Sequence, residues 1–206
     1  NRRRGAVIAQ RDELQARLNA RAKEREAGIA KSWTRPRHSR HGTEEVFAPV
    51  VARQVRLVID GSDTSDPKRN QARIDEFEAW TDEAGPRNVA LAANGGIASG
   101  AQKEAKDFAG AYGPHLAIDG KFGERWFASG DELTIAFAKP ERIRRVHFSS
   151  DRNRALVEDS GISVFVGDYR IEVSPDGKSW KTVANSLDRK PATAARGLPG
   201  DAGMFG

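Results

Sequence analysis

The chain has 206 residues, 38% apolar and 31% charged, which is enough for one compact domain with polar extensions. It has no cysteine, so disulfides, thiolate metal sites, cysteine nucleophiles and Cys-x-x-Cys-His haem attachment are excluded within these residues. The net charge of +5 is unevenly spread: residues 1–42 carry twelve Lys/Arg against four Asp/Glu, and residues 43–206 carry twenty-two against twenty-five.

The basic arm comes first. It contains Arg2-Arg3-Arg4 and Arg35-Pro36-Arg37-His38-Ser39-Arg40-His41, a run that either faces water or meets a phosphate-like surface. Within it, Val7 to Ile29 is rich in helix formers, with Val7, Leu14, Leu18 and Ala22 on one stripe, and this spacing predicts an N-terminal amphipathic α-helix. Gly28 and then Pro36 end the helix, and Ser32 to Gly42 reads as a linker. No apolar run approaches the ~18–20 residues of a membrane span. With Asn1 at its start and no signal-peptide pattern, the chain reads as a piece of something longer.

Beyond Thr43 the period changes to two. Val55, Leu57 and Ile59 predict one strand and Phe77 and Ala79 another, with Asp60 to Pro67 as a polar loop between them. Leu133, Ile135 and Phe137 predict a third strand that stops at Lys139-Pro140, because proline cannot donate to a ladder. Ile143, Val146 and Phe148 suggest a fourth. Tyr169 to Val183 reads as a hairpin turned by Ser174-Pro175-Asp176-Gly177, where proline fixes φ and glycine tolerates φ > 0. Short strands with almost no helix between them make the fold class all-β, an antiparallel β-sandwich. Period alone does not separate a jelly roll from an immunoglobulin-like sandwich. The expected organisation is a basic helical arm and linker over 1–42, the β-sandwich over 43–191, and a Gly-rich tail or linker over 192–206.

Ala117-Ile118-Asp119-Gly120-Lys121-Phe122-Gly123-Glu124-Arg125-Trp126 and Tyr169 to Val183 resemble the opening and middle of a discoidin domain, the coagulation factor 5/8 type C or galactose-binding-like family. Ala52 to Leu57 with Ile74 to Glu78 resembles the phrase that closes such a domain, and here it comes first. With Arg87 to Ala92, the combination is most similar to the discoidin-like segment of large exported bacterial proteins of the planctomycete type, which also carry cytochrome-c-like domains. The resemblance covers roughly residues 46–191. It implies a jelly roll in permuted strand order, or else two half-domains, the end of one copy followed by the start of another.

The resemblance also suggests sites. Asp119 matches the calcium ligand of that family's loop, Glu76 matches the acidic residue that completes it, and Glu124 keeps an oxygen donor where Thr is usual. Lys121 departs from the usual Asn or Asp and adds a positive charge. Calcium takes six to eight oxygens, and the alternative is a plain turn in which Asp119 accepts backbone N–H bonds. For sugar contact at the loop end, Tyr112, His115, Asp151 and Arg152 are the nearest ligand-binding candidates by position. Equally, Tyr112 and His115 could seal the loop, and Asp151-Arg152 could be an exposed pair. Catalysis lacks residues: no nucleophile elbow, phosphate-cradling loop or zinc-ligand helix is present. Alternation sends Asp75 to the opposite face from Glu76 and Glu78.

Two functions remain. One is a non-catalytic carbohydrate-binding module of an exported, periplasmic or extracellular protein. The other is an interaction module that docks domains or subunits of a periplasmic, cytochrome-containing assembly. Nucleic acid comes third, supported only by the arm.

Overall fold

Two long strands organise the chain. In the computed structural model, which describes residues 13, 17, 20, 34–37, 39–63, 72–106, 108–152 and 165–189, β1 runs over Thr43–Asp63 and β6 over Glu132–Ser149. Between them come β2 (Arg73–Ile74), β3 (Glu76–Thr81), β4 (Ile97–Ser99) and β5 (Trp126–Phe127); β7 (Phe165–Ser174) and β8 (Lys181–Asn185) follow. The main sheet is antiparallel in the order β3-β6-β1-β7-β8, with β4 also on β6, and β2 pairs with β5 in a second, small sheet. The early strands and the late hairpin therefore share one sheet, and the described structure is all-β.

Period-2 alternation explains which face is inside. Val55 and Leu57 of β1, Phe77 and Ala79 of β3, Leu133, Ile135 and Phe137 of β6, and Tyr169, Ile171 and Val173 of β7 all join one buried cluster. Ile74 and Trp126 of the small sheet join it as well. Tyr169 keeps its hydroxyl satisfied inside by donating to the buried Glu45, and Phe148 meets its ring edge-on at 5.0 Å.

Two expected boundaries are corrected. β6 does not stop at Lys139-Pro140. Ala52 pairs with Glu141 and Gln54 with Ala136, so residues 137–140 bulge opposite Arg53, and Pro140 sits where no ladder N–H is needed. Nor does β1 end at Ile59, because Gly61, Ser62 and Asp63 pair with Asp168, Val166 and Phe165.

The hairpin turn is fixed by its own side chains. Ser174 Oγ accepts from Gly177 N–H at 2.8 Å, and Asp176 accepts from the backbone of Ser179 and Lys178 at 2.8 Å each, which lowers its pKa to about 2. Trp180 lies just before β8, with the Arg56 guanidinium 4.1 Å from its ring centre. Gly177 has φ 76°, and a Cβ there would come within 3.1 Å of the Gln54 side chain. Gly177→Ala is therefore expected to cost about 1–2 kcal/mol in urea unfolding, with no change in fold.

The chain divides into two units, residues 1–36 with 187–190 and residues 37–186 with 191–206. In the first, Thr34 and Arg35 donate backbone N–H bonds to Asp188 O, and Arg35 pairs with the Asp188 carboxylate at 2.5 Å, so part of the expected linker is paired. Glu13, Arg17 and Ala20 are helical, with Arg17 donating to Glu13 at 2.7 Å; the rest of the expected Val7–Ile29 helix and the tail lie outside the described residues. No helix among the described residues is long and apolar enough to cross a membrane.

Candidate functional site

The loop between Ile118 and Trp126 is held at both ends by buried apolar side chains. At its start Leu116 and Ala117, in a 3-10 turn over Pro114–Ala117, and Ile118 just after it are buried, and Trp126 is wholly buried at its end. Gly120 (φ 77°) and Gly123 (φ 112°) let the intervening residues turn tightly. Asp119 accepts from Lys121 N–H at 2.8 Å, and Gly120 N–H donates to Glu76 at 3.2 Å. At the far end, Arg125 donates through Nε to Ser150 O at 2.8 Å and through a terminal nitrogen to Asp151 at 2.9 Å.

This anchored loop forms one wall of a cavity of about 560 Å3, whose other lining includes Tyr112, His115 and Phe127. Tyr112 and Phe127 stack with centroids 4.2 Å apart and an interplanar angle of 15°, and Arg73 lies 4.3 Å from the Phe127 ring centre. Phe108, 74% exposed, stands at the edge. Glu124 and Arg125 bring the charged groups. A second depression of about 610 Å3 is lined by Glu44, Asp82, Arg144 and Arg145, whose charges are already paired across it.

Behind the loop lies an acidic cluster around one guanidinium. Arg152 donates to Glu78 and His147 at 2.6 Å each, its backbone N–H donates to Asp75 at 2.6 Å, and its charge lies 4.9 Å from the Phe122 ring centre. Asp75 occupies a bend before β3, so strand alternation does not apply to it, and it meets the same Arg152 as Glu78. Burial raises the pKa of Glu76 to about 8; Arg152 works against this, while Glu78 and Asp119 add to it. Burial and then Arg152 lower the pKa of His147, consistent with a neutral imidazole that accepts at Nδ1.

The residues singled out in the sequence are thus sorted into two places. Tyr112, His115 and Glu124 line the cavity. Asp151 is wholly buried and braces Arg125, while Arg152 turns to the acidic cluster, as do Glu76 and Asp119. Arg125 and Phe127 were not singled out. Both sit beside the core residue Trp126, and no local spacing joins Arg125 to Asp151, 26 positions later.

This arrangement does not suit calcium. Glu76 and Asp119 give two carboxylates, Glu124 lies with the cavity residues, and no three acidic or imidazole groups among the described residues could hold a metal ion. Six to eight oxygens are not gathered, and Arg152 already supplies a positive charge. These residues do not form a calcium cage. Compared with protein-family models, curated proteins and solved structures, the chain matches none.

Proposed function

We propose that this chain is a non-catalytic binding module of a larger exported protein, a jelly roll of discoidin type that takes carbohydrate in the Tyr112 cavity. The observation that carries this reading is the stacked Tyr112–Phe127 pair beside Glu124, His115 and Arg125 in one open cavity. Sugars present an apolar ring face and a rim of hydroxyls, and such a wall with acceptors and donors at its edge complements both. The all-β arrangement, with early and late strands in one main sheet and the small second sheet adding Ile74 and Trp126 to the same buried cluster, supports the jelly-roll reading.

A glycan array followed by titration calorimetry tests the proposal. Tyr112→Ala should weaken the best sugar at least about tenfold while leaving the melting temperature within about 2 °C, since Tyr112 is only half-buried. Binding unchanged in this variant would remove the cavity from consideration.

A second reading, docking onto neighbouring domains or subunits, is favoured by Val46 and Val51, each 56% exposed on β1. Sedimentation of the chain with the rest of its parent protein distinguishes the two.

A further inference from the structure

We infer that the cavity selects sugars without a negative charge, and that Glu124 is the residue that imposes this choice. The inference rests on the carbohydrate reading above and adds the class of ligand.

It follows from the state of the two charged groups in the cavity wall. Arg125 is the obvious anchor for a carboxylate or sulfate, but its charge is already paired. One terminal nitrogen is bound to Asp151 at 2.9 Å, Nε is bound to Ser150 O at 2.8 Å, and only 10% of the side chain is exposed. Asp151 is wholly buried, so its negative charge stays beside the guanidinium and cancels most of its field at the cavity. An anionic sugar at the cavity therefore meets N–H donors on Arg125 but little net positive charge.

Glu124 is in the opposite condition. It lines the cavity, its side chain is exposed, and it has no hydrogen bond or ion pair among the described residues. An unpaired carboxylate beside an aromatic wall accepts from two adjacent hydroxyls of a ring stacked on that wall, or pairs with the ammonium of an amino sugar. The same carboxylate repels a uronic acid or a sulfated sugar brought to that wall. Lys121 lies on the same loop but does not line the cavity.

The test titrates the full chain at neutral pH and low salt with three probes of one ring geometry: methyl galactoside, galactosamine and galacturonic acid. Galactoside and galactosamine should bind, galactosamine at least as tightly, and galacturonate should bind about tenfold or more weakly than galactoside. Glu124→Gln should bring galacturonate to within about threefold of galactoside and remove the galactosamine advantage, and raising the salt should narrow the wild-type gap. Because Glu124 is exposed and unpartnered, the melting temperature serves as the control for folding. Galacturonate binding as tightly as galactoside in the wild type, or a gap unchanged in Glu124→Gln, would overturn the inference while leaving the carbohydrate reading standing. No binding of any probe, with an empty glycan array, would overturn both.

Discussion

Asp151→Ala is expected to lower the stability of the domain by about 3 kcal/mol and to abolish ligand binding. Asp151 has no exposed surface, and the Arg125 side chain it pairs with, at 2.9 Å, is 10% exposed. Removing the carboxylate leaves a guanidinium in a low-dielectric position, with Ser150 O as its one remaining acceptor among the described residues. Breaking such a pair from one side costs far more than the pair contributes, because the surviving charge cannot regain water without moving. If Arg125 swings outward to do so, it pulls on a segment bounded by Gly123 and Trp126, and the cavity wall goes with it. The backbone of Asp151 is held separately, its N–H by Arg40 O at 2.9 Å and its carbonyl by His41 Nδ1 at 2.8 Å, so the loss belongs to the side chain. Urea unfolding measures it. The double variant with Arg125→Met should recover most of the stability but not the binding, and the cycle gives the coupling between the two residues. A single-variant loss below about 1 kcal/mol would mean that Arg125 reaches solvent freely and that Asp151 does not hold its charge beneath the cavity.

What could be read from the sequence was whatever is encoded locally. The alternation in Val55–Leu57, Leu133–Phe137 and Tyr169–Val173 specifies a buried face residue by residue, and those residues lie in the core. The turn at Ser174 to Gly177 is equally local, since the groups that close it are within five positions of one another. The misread features depend on distant partners. Pro140 breaks a ladder only if the ladder needs an N–H donor at that position, and that is settled by the bulge opposite Arg53, almost ninety positions earlier. Asp60 to Asp63 has the composition of a loop but pairs as strand because Phe165 to Asp168 lies alongside it. The site divides in the same way. Tyr112 and His115 are legible by type and position and Glu124 only as an oxygen donor of the loop, whereas the pairing of Arg125 with Asp151, 26 positions apart, and the gathering of Asp75 and Glu78 on Arg152, 77 and 74 positions apart, arise only when the chain just after β6 is brought beside β3 and the loop before β5.

Glu76→Gln should stabilise the protein above pH 7 and remove one component of its pH dependence. Glu76 is 2% exposed at the start of β3, and burial raises its pKa to about 8 from the ordinary 4.5. The folded state then holds a proton on this group up to about pH 8, while the unfolded chain releases it near 4.5. Between those values the native state binds more protons, so the free energy of unfolding falls as pH rises and levels off above about 8. The stabilising proton is fully present below pH 4.5 and is lost as pH passes through 8. Glutamine keeps an oxygen to accept from Gly120 N–H and cannot ionise, so the difference between variant and wild type should be near zero at pH 4.5 and grow to about 2 kcal/mol at pH 8.5, a figure reduced for Arg152 and solvent screening. Other groups titrate over the same interval, and taking the difference between the two proteins cancels them. The competing outcome has a clear physical cause. If the Arg152 guanidinium outweighs burial, Glu76 is ionised throughout, the glutamine variant loses an ion pair, and it becomes less stable as pH rises instead of more. The sign of that difference at pH 8.5 therefore decides whether burial or Arg152 governs the carboxylate beneath the loop.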